Sequence, residues 1–257
     1  NNSRDWVFLQ SHKAYKGREF FFPISEEQEK KSDYILKLLP DEGDDKKTLQ
    51  EAALRFLVRA AVVNLDNGKS SSPMGFSMLV HTEGKVTYHE DDQKIIQKII
   101  STLINEKQPK ADQYANYMLK VAEKEINKHN LNFTARHAVG FVLENLGKNS
   151  TLIINHKKDK NNVKAACEPK DIFTFAFGGN IISRGLTFNR LLSFYFSRNV
   201  KHKLQQNTYI QRARMFGNRE YSKYFELCVP QTLFENWADC FVEHELSLQS
   251  AIAGEYI

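Results

Sequence analysis

The sequence lacks a phosphate-binding P-loop. Asn67-Gly68-Lys69-Ser70 comes nearest to GxxxxGK[ST], but the glycine required five residues before Gly68 is Val63. On sequence, then, this chain does not supply the main cradle for a triphosphate. Cysteine is scarce: Cys167, Cys228 and Cys240 show no CxxC spacing, which suggests neither a zinc site nor a disulfide framework. Cys228 lies in an apolar run and reads as a core residue. No apolar stretch reaches the roughly 18 residues of a membrane span, so no membrane partner is expected. No signal peptide is visible and Asn1 is not a start methionine, so the chain reads as a cytoplasmic fragment of something longer. Clustered carboxylates for a nuclease metal are also lacking. In Glu90-Asp91-Asp92 adjacent side chains diverge if the run is helical, and Glu243-His244-Glu245 stands alone. His202-Lys203 lacks the spacing of an HxK nuclease pair, so no metal site is expected.

What is present suits an α/β domain. The 257 residues are 41% hydrophobic and 26% charged, enough for one good core with a helical appendage. The net charge of +5 permits a polyanionic partner without demanding one. Residues 171–219 organise the rest. The apolar run 172–177 reads as a strand buried on both faces, as in a parallel sheet. It ends at Gly178-Gly179-Asn180. Ser183-Arg184-Gly185 and a second apolar strand, 191–196, follow. A helical segment carrying Gln211, Arg212 and Arg214 comes next, broken by Gly217, with Arg219 just beyond. Strand, loop, strand, helix, strand is the grammar of an open α/β sheet, whose ligands sit outside the carboxyl ends of the strands. The glycine-rich turn and the arginines are expected to meet there. Residues two apart on a helix point about 200° from each other, so Arg212 and Arg214 do not share a cleft, whereas Gln211 and Arg214 share a face.

Residues 1–47 read as an approach segment, with a candidate strand at 6–9 and a hydrophobic strap around Phe20-Phe21-Phe22. Ser25 caps a short charged helix; 40–45 is a loop. Thr48 opens a strong helix, with Glu51 completing a capping box. Residues 76–82 form a strand that ends at His81 and Thr82. Two helices, 88–105 and 111–129, make a hairpin that leans on the core as an insertion spanning about 88–130. Lys120, Lys124 and Lys128 share one face of the second helix. Such a face can track phosphates, but is more often a solvated surface, and Glu123 and Glu125 dilute it. Another helix at 133–145 points Val139 and Val142 inward. A strand at 151–155 leads to the basic turn around His156 and Lys157, where nucleic-acid contact is one reading. The last strand, 224–229, is closed by Pro230. Thr232 caps a final helix over 233–247, with Phe234, Trp237 and Phe241 on one face.

Two stretches carry a resemblance. GGNIISRGLTF, followed about twenty residues on by TYIQRARMFGNR, is similar to the Z1 domain, a family that bears an endonuclease label. The similarity runs from about Thr48 to the end of the chain. Tyr15 to Pro23 and the stretch ending in His81-Thr82 add to it. The family implies a RecA-like, open, mostly parallel sheet flanked by helices over 48–257. It also implies the second motor domain of an ATP-dependent DNA translocase or helicase-like subunit in a restriction or defence system. ATP and Mg²⁺ would be held mainly by an upstream P-loop domain, and a separate nuclease subunit would be a partner. By the same resemblance Arg214 is the arginine-finger candidate, with Arg219 and Gln211 as nucleotide-sensing neighbours. Gly178, Gly179, Asn180, Ser183, Arg184, Gly185 and Thr187 would couple nucleotide to DNA. His81, Thr82, His156 and Lys157 would contact DNA backbone. Ala213, Met215 and Asn218 stand where the family has glycine, tryptophan and tyrosine. A module that only docks DNA or a nuclease subunit is the alternative, favoured if the aromatics of the last helix are exposed.

Overall fold

The computed structural model describes residues 12–41, 46–82, 86–105, 108–154, 160–178, 186–197 and 214–254. The candidate strand at 6–9 and most of the loop at 40–45 lie outside them. Among the described residues one six-stranded sheet dominates, and every neighbouring pair in it is parallel. In chain order its strands are β1 (Ile35–Leu39), β2 (Phe76–His81), β3 (Asn149–Ile154), β4 (Phe173–Gly178), β5 (Leu191–Phe196) and β6 (Glu226–Pro230). Their spatial order is β1-β6-β5-β2-β4-β3. The four inner strands are buried along their whole length, which is why they read as continuous apolar runs. The edge strand β1 carries Lys37 and a half-exposed Leu38 and lacks that signature. It belongs to the sheet although its sequence shows no clean strand pattern.

Successive residues serve opposite faces. Met78, Val80 and Cys228 enter one core, while Leu79, Leu227 and Val229 enter the other. Helices α1 (Arg18–Phe21) and α2 (Glu26–Lys31) precede the sheet. As expected, Ser25 caps the second of these, its hydroxyl accepting from the Gln28 amide. The Phe20-Phe21-Phe22 strap is buried in the second core, where Phe22 meets Phe241 at 5.2 Å between ring centres. The first core gathers α3 (Lys46–Asp66), α4 (Val86–Ile104), α5 (Pro109–His129) and α6 (Ala135–Asn145). The last three form the crossover from β2 to β3, so the expected hairpin continues into a third helix packed on α3. Val139 and Val142 do point inward. Helix α7 (Lys160–Cys167) joins β3 to β4, and α8 (Gln231–Ala253) follows β6 directly. None of the described helices is long and apolar enough to cross a membrane.

Two expected caps are corrected. Helix α3 already includes Lys46, and the Thr48 hydroxyl lies 2.6 Å from the Tyr195 hydroxyl on β5, so it ties helix to sheet. Thr232 sits inside the first turn of α8. Its amide and hydroxyl both donate to the Asp41 carboxylate, at 3.0 and 2.6 Å. A helix start has orphan N–H groups, and an acid from the exit of β1 satisfies one of them.

Helix α3 is buried on all sides from Ala52 to Asn64, including two arginines. Arg55 donates from Nε to both oxygens of Glu226 at 3.1 and 2.8 Å. Arg59 approaches the same carboxylate at 2.8 Å and donates to Glu125 of α5 at 2.8 Å. Burial alone would raise the Glu226 pKa, but Arg59 and Arg55 overcome it and hold the group down at about 2. Removing one partner leaves uncompensated buried charge, so Glu226→Gln is expected to lower unfolding stability by about 3–5 kcal/mol in urea titrations. Because the folded pKa lies below the ordinary value of 4.5, this stabilisation is present above pH 4.5 and is lost as pH falls towards 2. The parent should lose stability across that window, and the variant should lose less.

Candidate functional site

Of the residues that the resemblance assigns to coupling, Gly178 and Thr187 fall among those described. Gly178 ends β4 at the carboxyl edge of the sheet and is buried. Thr187 is exposed in the segment leading to β5. Gly179, Asn180, Ser183, Arg184 and Gly185 lie outside the described residues, as do Gln211, Arg212, His156 and Lys157.

His81 and Thr82 are at the carboxyl end of β2, as expected, but their side chains point inward. They are only 2% and 1% exposed. The His81 ring stacks on Phe196 at 4.5 Å, and its carbonyl accepts from the Ser197 amide. The Thr82 hydroxyl donates to Asp92 of α4. This corrects the expectation of backbone-contacting residues: both side chains are engaged within the fold. The same bond shows how the run Glu90-Asp91-Asp92 splits. Asp92 turns in, while Glu90 and Asp91 stay exposed.

Arg214 and Met215 lie in a turn rather than a helix. The Arg214 guanidinium is half-buried and donates from Nη1 to the Leu186 carbonyl at 2.9 Å. Leu186 belongs to the first motif and Arg214 to the second, so this bond joins them. Burial lowers the Arg214 pKa, and the nearby Cys167 thiol opposes the shift.

Arg219 has a different environment. It is 5% exposed and makes five hydrogen bonds to backbone carbonyls, those of Phe188, Arg214, Met215, Phe216 and Asn218. Phe76 and Leu191, the first residues of β2 and β5, line a small cleft with it. Arg219 therefore sits at the amino ends of strands, across the sheet from His81, Thr82 and Gly178. Six-residue strands separate the two edges by roughly 17 Å, so Arg219 does not meet Gly178, and the Arg214 backbone, whose carbonyl accepts from Arg219 at 2.8 Å, stays on the Arg219 side. Burial draws the Arg219 pKa down to about 10, partly opposed by Tyr15, and the group stays charged near neutrality.

Gly217 completes this arrangement. Its φ of +144° suits glycine, and a Cβ there would lie 3.3 Å from the Arg219 guanidinium. The neighbouring Phe216 stacks on Phe21, and residues 217–218 pair antiparallel with Tyr15–Lys16. The second motif is thus a tightly held strap, in which Met215 is fully buried where the family pattern has tryptophan.

The largest charged constellation was not read from the sequence. Arg55, Arg59, Glu125 and Glu226 meet from α3, α5 and β6, with His129 3.7 Å from Glu125 and Tyr117 accepting from Arg55 at 3.0 Å. Burial pushes the His129 pKa down, against the pull of Glu125. A sequence signal did exist: two arginines four apart inside an otherwise apolar helix.

Lysine has three donors on one nitrogen and cannot span the Arg219 carbonyls. Arg219→Lys is therefore expected to cost at least about 2 kcal/mol by leaving buried carbonyls unpaired, read as a lowered denaturant midpoint. Unchanged stability would show that the carbonyl cluster is not held by this side chain.

A comparison with protein families matches residues 48–253 to the Z1 domain, a span that includes both motifs. No curated protein and no solved structure matches the chain. With this match over most of its length, the chain belongs to the Z1 domain family.

Proposed function

We propose that this chain is the second, RecA-like half of a DNA-dependent ATPase. It would act as a translocase or helicase-like subunit of a restriction or defence system, with an upstream P-loop domain and a separate nuclease subunit as partners. The observation that carries the reading is the pair of bonds from Arg214 to Leu186 and from Arg219 to Phe188. The loop expected to sense DNA and the segment expected to sense nucleotide are thereby one mechanical unit. A shift in either alters the other, which is what coupling strand binding to hydrolysis requires.

The residues divide by their fit to ATP. Arg219 does not suit a phosphate, since its N–H groups already meet carbonyls; its role is to brace the segment that presents Arg214. Arg214 does suit one. Its half-buried guanidinium donates to the Leu186 carbonyl, at the end of the first motif. Bound ATP with Mg²⁺ would supply a γ-phosphoryl group whose transfer needs positioning and positive charge rather than covalent help. Arg214 would contribute that charge from this side of the interdomain cleft.

No observation lifts the docking reading above this one. Of the aromatics whose exposure would have favoured it, Trp237 and Phe241 are 0% and 3% exposed and Phe234 is half-buried. A nuclease reading gains nothing from Glu90-Asp91-Asp92, whose members point apart.

The test uses the full natural polypeptide. Arg214→Ala is expected to retain ATP binding and folding but to lose about 10³-fold or more of DNA-stimulated hydrolysis. Hydrolysis at the parent rate would remove Arg214 from the site. The absence of any hydrolysis in the parent would remove the ATPase reading itself.

A further inference from the structure

A groove of about 640 Å³ opens between β1, α3 and α5. It lies on the sheet face that carries the first core and shares no residue with the cleft that Arg219 lines. Six cationic side chains line it, against the carboxylates of Glu51 and Glu125. Lys37 comes from β1; Lys120, Lys124 and Lys128 come from α5; Arg55 and Arg59 come from α3. The four lysines are exposed, while the two arginines are buried beneath them.

Of the two acids that dilute this face in the sequence, Glu125 is withdrawn by the fold, while Glu123 stays exposed but does not line the groove. Glu125 is 3% exposed and turned onto Arg59. Glu226, fully buried, holds both arginines from below. These ion pairs neutralise the floor and fix it, and the lysines above keep their charge for a ligand. Three lysines at four-residue spacing step about 6 Å apart along the helix, a ladder of roughly 12 Å. A compact anion would use one rung of it; an extended chain of phosphates uses all three. Pockets for small ligands are mostly apolar with a few placed polar groups, whereas half of the residues lining this groove are charged, alongside apolar ones such as Leu36, Leu38 and Val121. The half-buried Tyr117 adds an aromatic side chain, and basic grooves with aromatic side chains are the pattern of single-stranded nucleic-acid binding.

We infer that this groove binds a single strand of nucleic acid through its backbone, with Lys120, Lys124 and Lys128 along one phosphate row and Lys37 on the opposite bank. Binding is independent of base sequence, because lysines on phosphates position without specifying. The groove stands apart from the proposed ATPase site and shares none of its residues.

Two measurements on the full natural polypeptide test it. In the first, lysine acetylation is mapped by mass spectrometry with and without a twenty-nucleotide oligothymidylate. Lys37, Lys120, Lys124 and Lys128 are expected to be protected several-fold, and the exposed Lys98 and Lys148 to be unaffected. In the second, binding of the labelled oligonucleotide is titrated against salt. Lys120→Glu/Lys124→Glu/Lys128→Glu should weaken binding at least tenfold. It should also reduce the salt slope by roughly 2, because each phosphate neutralised on a single strand contributes about 0.7 to that slope. The control Lys98→Glu/Lys148→Glu/Lys164→Glu carries the same net charge and should bind like the parent. Equal weakening in the control, or uniform protection of all lysines, would overturn the groove in favour of a general electrostatic effect. Protection by inorganic phosphate as complete as by the oligonucleotide would overturn the extended strand in favour of a compact anion. Tighter binding of duplex than of single strand at the same lysines would overturn the single-strand assignment. Loss of ATPase activity has no bearing on either readout.

Discussion

One carboxylate, Glu226, holds the first half of the fold to the last. It begins the strand β6, and two arginines one helical turn apart on α3 converge on it. Through Arg59 the chain of charge continues to Glu125 on α5. Strand, inner helix and outer helix are thus registered by buried ion pairs. Such a network is weak evidence for net stability, because desolvation offsets much of the attraction. Its strength lies in specificity. Any slip of α3 along the sheet strands buried charges without partners, and that cost selects one packing arrangement.

The surface consequences follow from the same network. Because Glu125 is committed to Arg59, α5 presents lysines outward without their neighbouring acid. Towards the groove the helix turns Lys120, Lys124 and Lys128, while Glu123 stays exposed outside it. At the amino-terminal edge of the sheet, Arg219 does comparable work with neutral partners. It gathers carbonyls from both sides of the second motif and from the approach to β5. Gly217 leaves room for it, and the Phe20-Phe21-Phe22 strap closes over the neighbouring aromatic cluster.

Much of the fold was legible in the chain. The runs at 172–177 and 191–196 lie within a residue of the observed strands, because a parallel strand buried on both faces must be apolar throughout. The helices at 88–105 and 111–129 were visible from their period, and the cap at Ser25 from its chemistry. Less visible was β1, whose Lys37 and Leu38 face solvent at the sheet edge. The caps assigned to Thr48 and Thr232 failed for a common reason: a hydroxyl near a helix start takes whichever partner tertiary packing brings closest, here Tyr195 and Asp41. The candidate site was legible only as two motifs.

The sequence by itself determined the class of fold, the membership of the family, and which stretches form the buried strands. These depend on composition and spacing within a few residues, which the chain carries locally. Only the tertiary structure decided that Arg214 bonds to the first motif while Arg219 is enclosed by carbonyls, and that His81 and Thr82 turn inward. It alone paired Arg55 with a carboxylate 171 residues away. A charged side chain is stabilised by whatever lies within a few ångströms, and in a buried site that neighbour comes from another part of the chain. Spacing along the sequence reveals an arginine; the packing around it determines what that arginine can bind.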